Sequence, residues 1–193
     1  MKLVFATNNK HKFKEVQNIL PDEIELVNLK DIGCTEEIPE NQDTIEGNAF
    51  EKSSYVYENY GLNCFSDDTG LEIEGLDGRP GVYAARYAGV GCTFEDNVNK
   101  VLNEMEGVQN RSAKFRTIIS LIIDGKELQF EGSVEGEILT KSKGVDGFGY
   151  DPIFQPIGYS KSFSEMNLLD KNKISHRAIA VNKFSEYLNS LVG

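Results

Sequence analysis

Apolar and polar positions repeat along this chain with two periods, and the change from one to the other marks out its elements. Residues 2–6 are a short apolar run of the buried-strand type. Residues 11–20 place Phe13, Val16 and Leu20 on one helical face. Residues 23–29 read as a second strand, with Ile24 and Leu26 in phase and Val27 out of it. An acidic loop over 31–43 follows, and Thr44 then caps a helix to Tyr60 whose Ile45, Ala49, Ser53, Val56 and Tyr60 share a stripe. Residues 63–66 predict a short strand ending in Asp67-Asp68-Thr69-Gly70, with 71–73 as a second short strand. The glycine-rich stretch 75–91, which holds Pro80, reads as loop. Thr93 opens a helix carrying Phe94, Val98, Val101, Leu102 and Met105, and Asp96 supplies the acid of a capping box. Residues 113–124 give the strongest strand pattern, Asp124-Gly125 is a hairpin turn signal, and 128–138 return as the partner strand. A second loop covers 141–149, a helical turn is expected over 165–169, and a last helix over 175–192 carries Val181, Phe184, Leu188 and Leu191 on its stripe. The order starts as β and α in alternation and ends with a hairpin, which predicts an α/β fold with a mixed sheet and flanking helices.

Length and composition narrow the possibilities. The 193 residues suffice for one good-sized domain or two lobes sharing a core, and 39% hydrophobic with 26% charged residues is a globular balance. The formal net charge of -11 argues against binding a nucleic acid polymer, which needs a basic face. A single nucleotide needs only a local cluster of cations or a metal. Cys34, Cys64 and Cys92 fall in no close pair, so a zinc site is not expected and a reduced, cytoplasmic setting is. No stretch reads as a signal peptide or a membrane span.

Four polar clusters carry candidate chemistry. Thr7-Asn8-Asn9-Lys10-His11-Lys12 lies between the first strand and the first helix. With Asn9 as cap, Lys10, His11 and Lys12 fill a first turn in which cations oppose the helix dipole. That makes sense for a bound polyphosphate, or for a solvated basic helix start. It is no Walker A loop, since Gly125-Lys126 is followed by Glu127. Adjacent Asp67 and Asp68 suit Mg²⁺, which takes one or two carboxylates plus substrate phosphates, and equally suit an acidic turn. Glu36, Glu37 and Glu40 could add a further carboxylate or be simply solvated. Phe148-Gly149-Tyr150-Asp151-Pro152 sets two aromatics around a glycine, then an acid: rings for a purine to stack on and a carboxylate for a ring N–H, or an aromatic turn packed in the core. Ser175-His176-Arg177 opens the last helix, with Ser175 as cap, Ile174 and Ile179 at staple positions, and Lys171 upstream. Donors here would favour a purine with a keto oxygen over adenine. The same residues also permit a capped surface histidine. There is no nucleophile elbow to make a Ser-His-Asp triad.

Taken together the motifs resemble the inosine/xanthosine triphosphate pyrophosphatase family. They are T-N-N-K-H-K, T-I-E-G-N-A at 44–49, S-D-D-T-G-L, P-G-V-Y-A-A-R-Y-A-G at 80–89, F-G-Y-D-P-I-F and I-S-H-R, spread over the whole chain. The resemblance implies one domain over 1–193, an elongated two-lobed mixed β-sheet with flanking helices and an active site in the interlobe cleft. It implies Mg²⁺-dependent hydrolysis of ITP, dITP and XTP to the monophosphate and pyrophosphate, in a homodimer. Thr7, Asn8, Asn9, Lys10, His11 and Lys12 would hold phosphate, with Asn9 and Lys12 the main contacts. Glu40 and Asp68 would bind the metal, with Asp68 also the general base. Thr69, Phe148, Gly149, Tyr150, Asp151, Lys171, His176 and Arg177 would surround the substrate. Gly47 departs from the pattern, since many relatives carry Glu before the Asn-Ala pair. A pyrophosphatase for modified pyrimidine nucleotides and a nucleotide sensor without turnover are the rival readings. The paired acids speak against the sensor.

Overall fold

The structure, a computed structural model, describes residues 1–192. These contain seven strands: β1 (Lys2–Phe5), β2 (Glu25–Asn28), β3 (Cys64–Ile73), β4 (Pro80–Gly81), β5 (Ser112–Ile123), β6 (Lys126–Ile138) and β7 (Phe154–Pro156). They also contain five α-helices: α1 (Lys10–Gln17), α2 (Ile45–Tyr60), α3 (Phe94–Glu104), α4 (Leu168–Ile174) and α5 (His176–Val192). The strands form one mixed sheet in the order β2-β1-β3-β5-β6-β7, with β4 paired to β3. β1 runs parallel to both β2 and β3, placing Val4 opposite Val27 and Cys64. β3 with β4 and β6 with β7 are antiparallel. The α/β class with a mixed sheet and flanking helices is therefore as expected.

Local chemistry accounts for the helix limits. Thr44 takes the backbone N–H of Gly47, and α2 stops where Gly61 adopts a left-handed conformation, which costs glycine little. Thr93 and Asp96 form the expected capping box at the start of α3. Three expectations are corrected. The stretch around Asp67 and Asp68 is no turn between two short strands: β3 runs unbroken from Cys64 to Ile73. The helical turn expected over 165–169 is replaced by a 3-10 turn (Phe163–Glu165) followed by α4, whose start is capped by Asn167. Leu191, assigned to the buried stripe of α5, is exposed.

The described chain divides into two compact units. Unit 1 comprises 1–68, 117–132 and the chain from Arg177 onward; unit 2 comprises 69–116 and 133–176. Unit 1 has a core on each face of its strands. Leu3, Phe5, Phe65, Ile119 and Leu121 pack with Val16 of α1 and with Val181, Phe184 and Leu188 of α5. Val4, Cys64 and Ile122 pack with Val56 of α2. Strand alternation alone sends neighbours such as Cys64 and Phe65 to opposite cores. The Phe5 and Phe65 rings stack at 4.4 Å, and full burial of such a side chain contributes about 1.5–3 kcal/mol. Unit 2 has one core, in which Leu71, Ile73, Phe115, Phe154 and Phe163 meet Val98, Val101 and Met105 from α3 and its end. Among the described residues no helix is long and apolar enough to cross a membrane.

Candidate active site

The alternation that splits the unit 1 core also splits its acid pair. Asp67 and Asp68 are consecutive in β3, so their side chains leave opposite faces of the strand. Asp67 points to the α1 and α5 side, where its Oδ1 accepts a hydrogen bond from Lys12 Nζ at 3.0 Å and its Oδ2 lies 3.4 Å from Arg177 Nε. Arg177 also donates to Glu15 Oε2 at 2.7 Å. Asp68 points to α2, where Lys52 Nζ lies 3.2 Å from Asp68 Oδ1 and 2.6 Å from Glu40 Oε1. Ser66, two residues earlier on the same face, donates to the carbonyl of Ala49 in α2. Each acid thus has its own cations. The electrostatic cost of adjacent carboxylates, which a turn would have left to solvent or a metal, is met by the two faces of one strand.

The two acids consequently differ in proton affinity. Burial raises the Asp68 carboxyl above its ordinary range; Lys52 and Lys12 oppose this, and Glu40 and Asp67 add to it. Burial acts on Asp67 in the same sense, but Lys12, Arg177 and Lys52 outweigh it and hold that carboxyl below the usual range. For Lys52, burial works against the charge, yet Asp68 and Glu40 overcome it and lift the ammonium above the ordinary lysine value. Burial wins at Lys12, pushing it below that value despite Asp67.

One atom in this cluster lacks a partner. Asp68 Oδ2 is buried with no hydrogen bond, an arrangement that costs free energy unless a cation or donor arrives. Glu40 Oε1 and Asp68 Oδ1 already converge on the Lys52 ammonium, so hard oxygen ligands are grouped at a cationic position. Among the described residues no three His, Cys, Asp or Glu side chains form a metal-binding group. A set of two carboxylates suits Mg²⁺, which keeps several waters and takes its other ligands from phosphate, and does not suit an ion needing a full protein cage.

The N-terminal basic cluster is sorted by exposure. Asn9 caps α1 as expected, its Oδ1 accepting from the backbone N–H of His11 at 2.9 Å and of Lys12 at 3.2 Å. Those two backbone donors are therefore occupied by the cap. Thr7 Oγ1 accepts from Asn9 N at 3.2 Å and so stiffens the approach to the helix. Asn8, Lys10 and His11 are exposed, while Lys12 is partly buried and turned to Asp67.

In unit 2 the aromatic motif and α4 make a second cluster. Asp151 Oδ2 accepts from Phe148 N at 2.9 Å and from Lys171 Nζ at 2.7 Å, with both side chains of the ion pair almost wholly buried. The Lys171 ammonium also lies 5.0 Å from the Phe148 ring centroid. Gly147 is required here: at φ +84 it passes so close that a Cβ would lie 2.3 Å from Asp151 Oδ2. The carboxylate expected to accept a ring N–H is thus engaged in closing its own turn and holding Lys171. Tyr150, expected beside a base, is a core residue whose hydroxyl donates to the Ala84 carbonyl at 2.7 Å. Phe148 and Gly149 are partly exposed, and Phe148 faces Phe94 at 6.2 Å. His176 is no surface histidine: its ring is buried and stacks on Phe115 at 4.5 Å with 10° between planes. Thr69 follows Asp68 in β3.

Glu15 and Lys52 escaped the sequence reading. Lys52 had a legible signal, because it sits seven residues after Ile45 and three after Ala49, on the buried stripe of α2. A lysine at such a position calls for carboxylates within its reach. Glu15 carries no comparable signal, since its partner Arg177 is far away in sequence.

Comparison with known proteins gives the family. The family model described as the Ham1 family matches residues 3–187. A protein named dITP/XTP pyrophosphatase from Flavobacterium johnsoniae is 50% identical over 190 residues, covering 98% of this chain and 99% of its own. One of the same name from Christiangramia forsetii is 51% identical, covering 98% and 100%. Among solved structures, the Ham1 protein of Staphylococcus aureus superposes with a TM-score of 0.92 at 33% identity, covering 99% of this chain and all of that one. With the motifs, the sheet and the near end-to-end match in accord, the chain belongs to the Ham1 family.

Proposed function

We propose that this chain hydrolyses non-standard purine nucleoside triphosphates, ITP, dITP and XTP, to the nucleoside monophosphate and pyrophosphate, with Mg²⁺ as cofactor. It is a nucleoside triphosphate pyrophosphohydrolase that clears such nucleotides from the pool. The observation that carries the reading is the state of Asp68: a buried carboxylate with raised proton affinity, an unpartnered Oδ2, and a lysine and a second carboxylate at its other oxygen. A base for water needs an accepting oxygen and a proton affinity above that of a surface aspartate. The relatives named dITP/XTP pyrophosphatase support the choice of substrate.

Asp68 takes a proton from water as the water oxygen attacks the α-phosphorus. The bond from that phosphorus to the bridging oxygen breaks, and pyrophosphate leaves with the electron pair. Lys12 and Lys52 supply positive charge for the departing phosphates, and Asp67 keeps Lys12 oriented until they arrive. Glu40 and Asp68 would hold Mg²⁺, which when bound neutralises phosphate charge and polarises the oxygens it touches. Homodimer assembly and a cytoplasmic setting complete the reading, the latter in keeping with three free cysteines.

The test is ITP with Mg²⁺, with products identified: inosine monophosphate and pyrophosphate are expected, and chelation of the metal should abolish turnover. Orthophosphate without pyrophosphate would reject the mechanism, and sedimentation of a monomer would reject the assembly.

A further inference from the structure

Gly47 is an odd residue for its place. It is the third residue of α2, where a capping-box glutamate is favoured and glycine weakens the helix. The structure shows what it admits: a Cβ at this position would lie 2.8 Å from Gln42 Cβ and 2.9 Å from Thr44 Oγ1. The loop leading into α2 therefore lies against the helix backbone at Gly47. Side chains of α2 hold it there. Asn41 N donates to Glu51 Oε2 at 2.8 Å, Gln42 Nε2 donates to Glu51 Oε1 at 3.3 Å, and Gln42 N donates to Asn48 Oδ1 at 2.9 Å. The Asn41 amide is joined directly to the carbonyl carbon of Glu40, so fixing that N–H fixes the backbone just after Glu40. Glu40 in turn reaches Lys52 Nζ at 2.6 Å, beside Asp68. Glu51 and Lys52 are consecutive in α2: one grips the backbone of the loop, the other takes its carboxylate.

We propose that Gly47 and Glu51 are positioning residues that hold Glu40 beside Asp68 and thereby set the affinity of this carboxylate pair for a divalent cation. The use made of that cation rests on the pyrophosphohydrolase reading; the clamp itself does not.

The experiment uses the full-length, nucleotide-free protein titrated with Mn²⁺ alone and followed by electron paramagnetic resonance, together with amide exchange at Asn41 and Gln42. In Glu51→Ala the Asn41 amide, which loses its acceptor, should exchange faster and Mn²⁺ affinity should fall about 10- to 100-fold, the usual effect of removing a group that orients a metal ligand. Glu51→Gln, which retains a carbonyl oxygen for the Asn41 N–H, should restore most of both. Gly47→Ala should weaken Mn²⁺ binding in the same way although alanine is the better helix former. Faster exchange or a lower melting temperature with unchanged Mn²⁺ affinity would overturn the proposal by making the clamp merely structural. Unchanged exchange in Glu51→Ala, or no Mn²⁺ binding by the unaltered chain, would overturn it as well. Failure to release pyrophosphate from ITP would sink the functional reading and still leave the Mn²⁺ titration to decide the clamp.

Discussion

Two neighbouring aspartates in β3 are expected to answer the same substitution in opposite ways. The Asp68 carboxyl is raised by burial, so its ionised form is held against the preference of the fold. Asp68→Asn removes that charge and keeps an oxygen for Lys52, so urea unfolding should change little. Turnover should fall by roughly 10²–10⁴, the usual worth of a general base. Near-normal kcat in this variant would remove Asp68 from that role. Asp67 is held below its usual range because Lys12 and Arg177 outweigh burial, so its charge stabilises the fold. Asp67→Asn leaves a buried arginine and a partly buried lysine short of a counter-charge, a loss of about 3–5 kcal/mol at neutral pH. The sign with pH follows from the depressed value. The contribution is fully present above the unfolded aspartate value near about 4 and is lost as pH falls through the lower folded value. The urea midpoints of wild type and Asp67→Asn should therefore converge on acidification. A gap that persists well below the folded pKa would contradict the assignment.

At the scale of elements, what could be read in advance was what depends on near neighbours in sequence. The limits of α2, the capping box of α3 and the Asp124-Gly125 turn all rest on residues within a few positions, and all three stand as expected. What could not be read was set at a distance. Asp67-Asp68-Thr69-Gly70 has turn chemistry, yet β3 continues through it because each acid meets cations brought by other elements: Lys12 from α1, Arg177 from α5, Lys52 from α2. Tyr150 shows the same limit, since an aromatic near a glycine reads alike whether its ring meets a base or is buried with its hydroxyl donating to the Ala84 carbonyl. Lys52 lay within reach of a stricter reading, because a lysine on an apolar stripe has to be paired or expelled. The legible part can be tested directly. Thr93→Ala removes the side-chain half of the α3 capping box, leaving the backbone N–H of residue 93 on Asp96, and should cost about 1 kcal/mol in urea unfolding, with KM for ITP unchanged. A cost near zero would mean that α3 is held by its buried Val98 and Val101 alone.

At the scale of the whole molecule, charge governs how a triphosphate is met. The formal net charge is -11, and the bonded cluster of unit 1 is no positive island: Lys12, Lys52 and Arg177 are matched against Glu15, Glu40, Asp67 and Asp68, three cations to four carboxylates. A nucleotide that carries net negative charge even with Mg²⁺ bound would therefore be repelled by the distant field and would find no excess of positive charge within that bonded cluster. On the proposed reading its phosphates would gain contacts by displacing carboxylates from the lysines, which would leave the released acids to the metal. Salt shortens the reach of the distant field to about 10 Å at 0.1 M and acts much less on the buried pairs. With Mg²⁺ saturating, kcat/KM for ITP should accordingly rise between about 20 and 200 mM KCl, the reverse of what a basic phosphate binder shows. The slope should flatten in variants that neutralise surface glutamates far from β3. A kcat/KM that falls steeply with salt would mean that cations outside this cluster steer the substrate in, and the balance of three against four would then be the wrong account of how the site is entered.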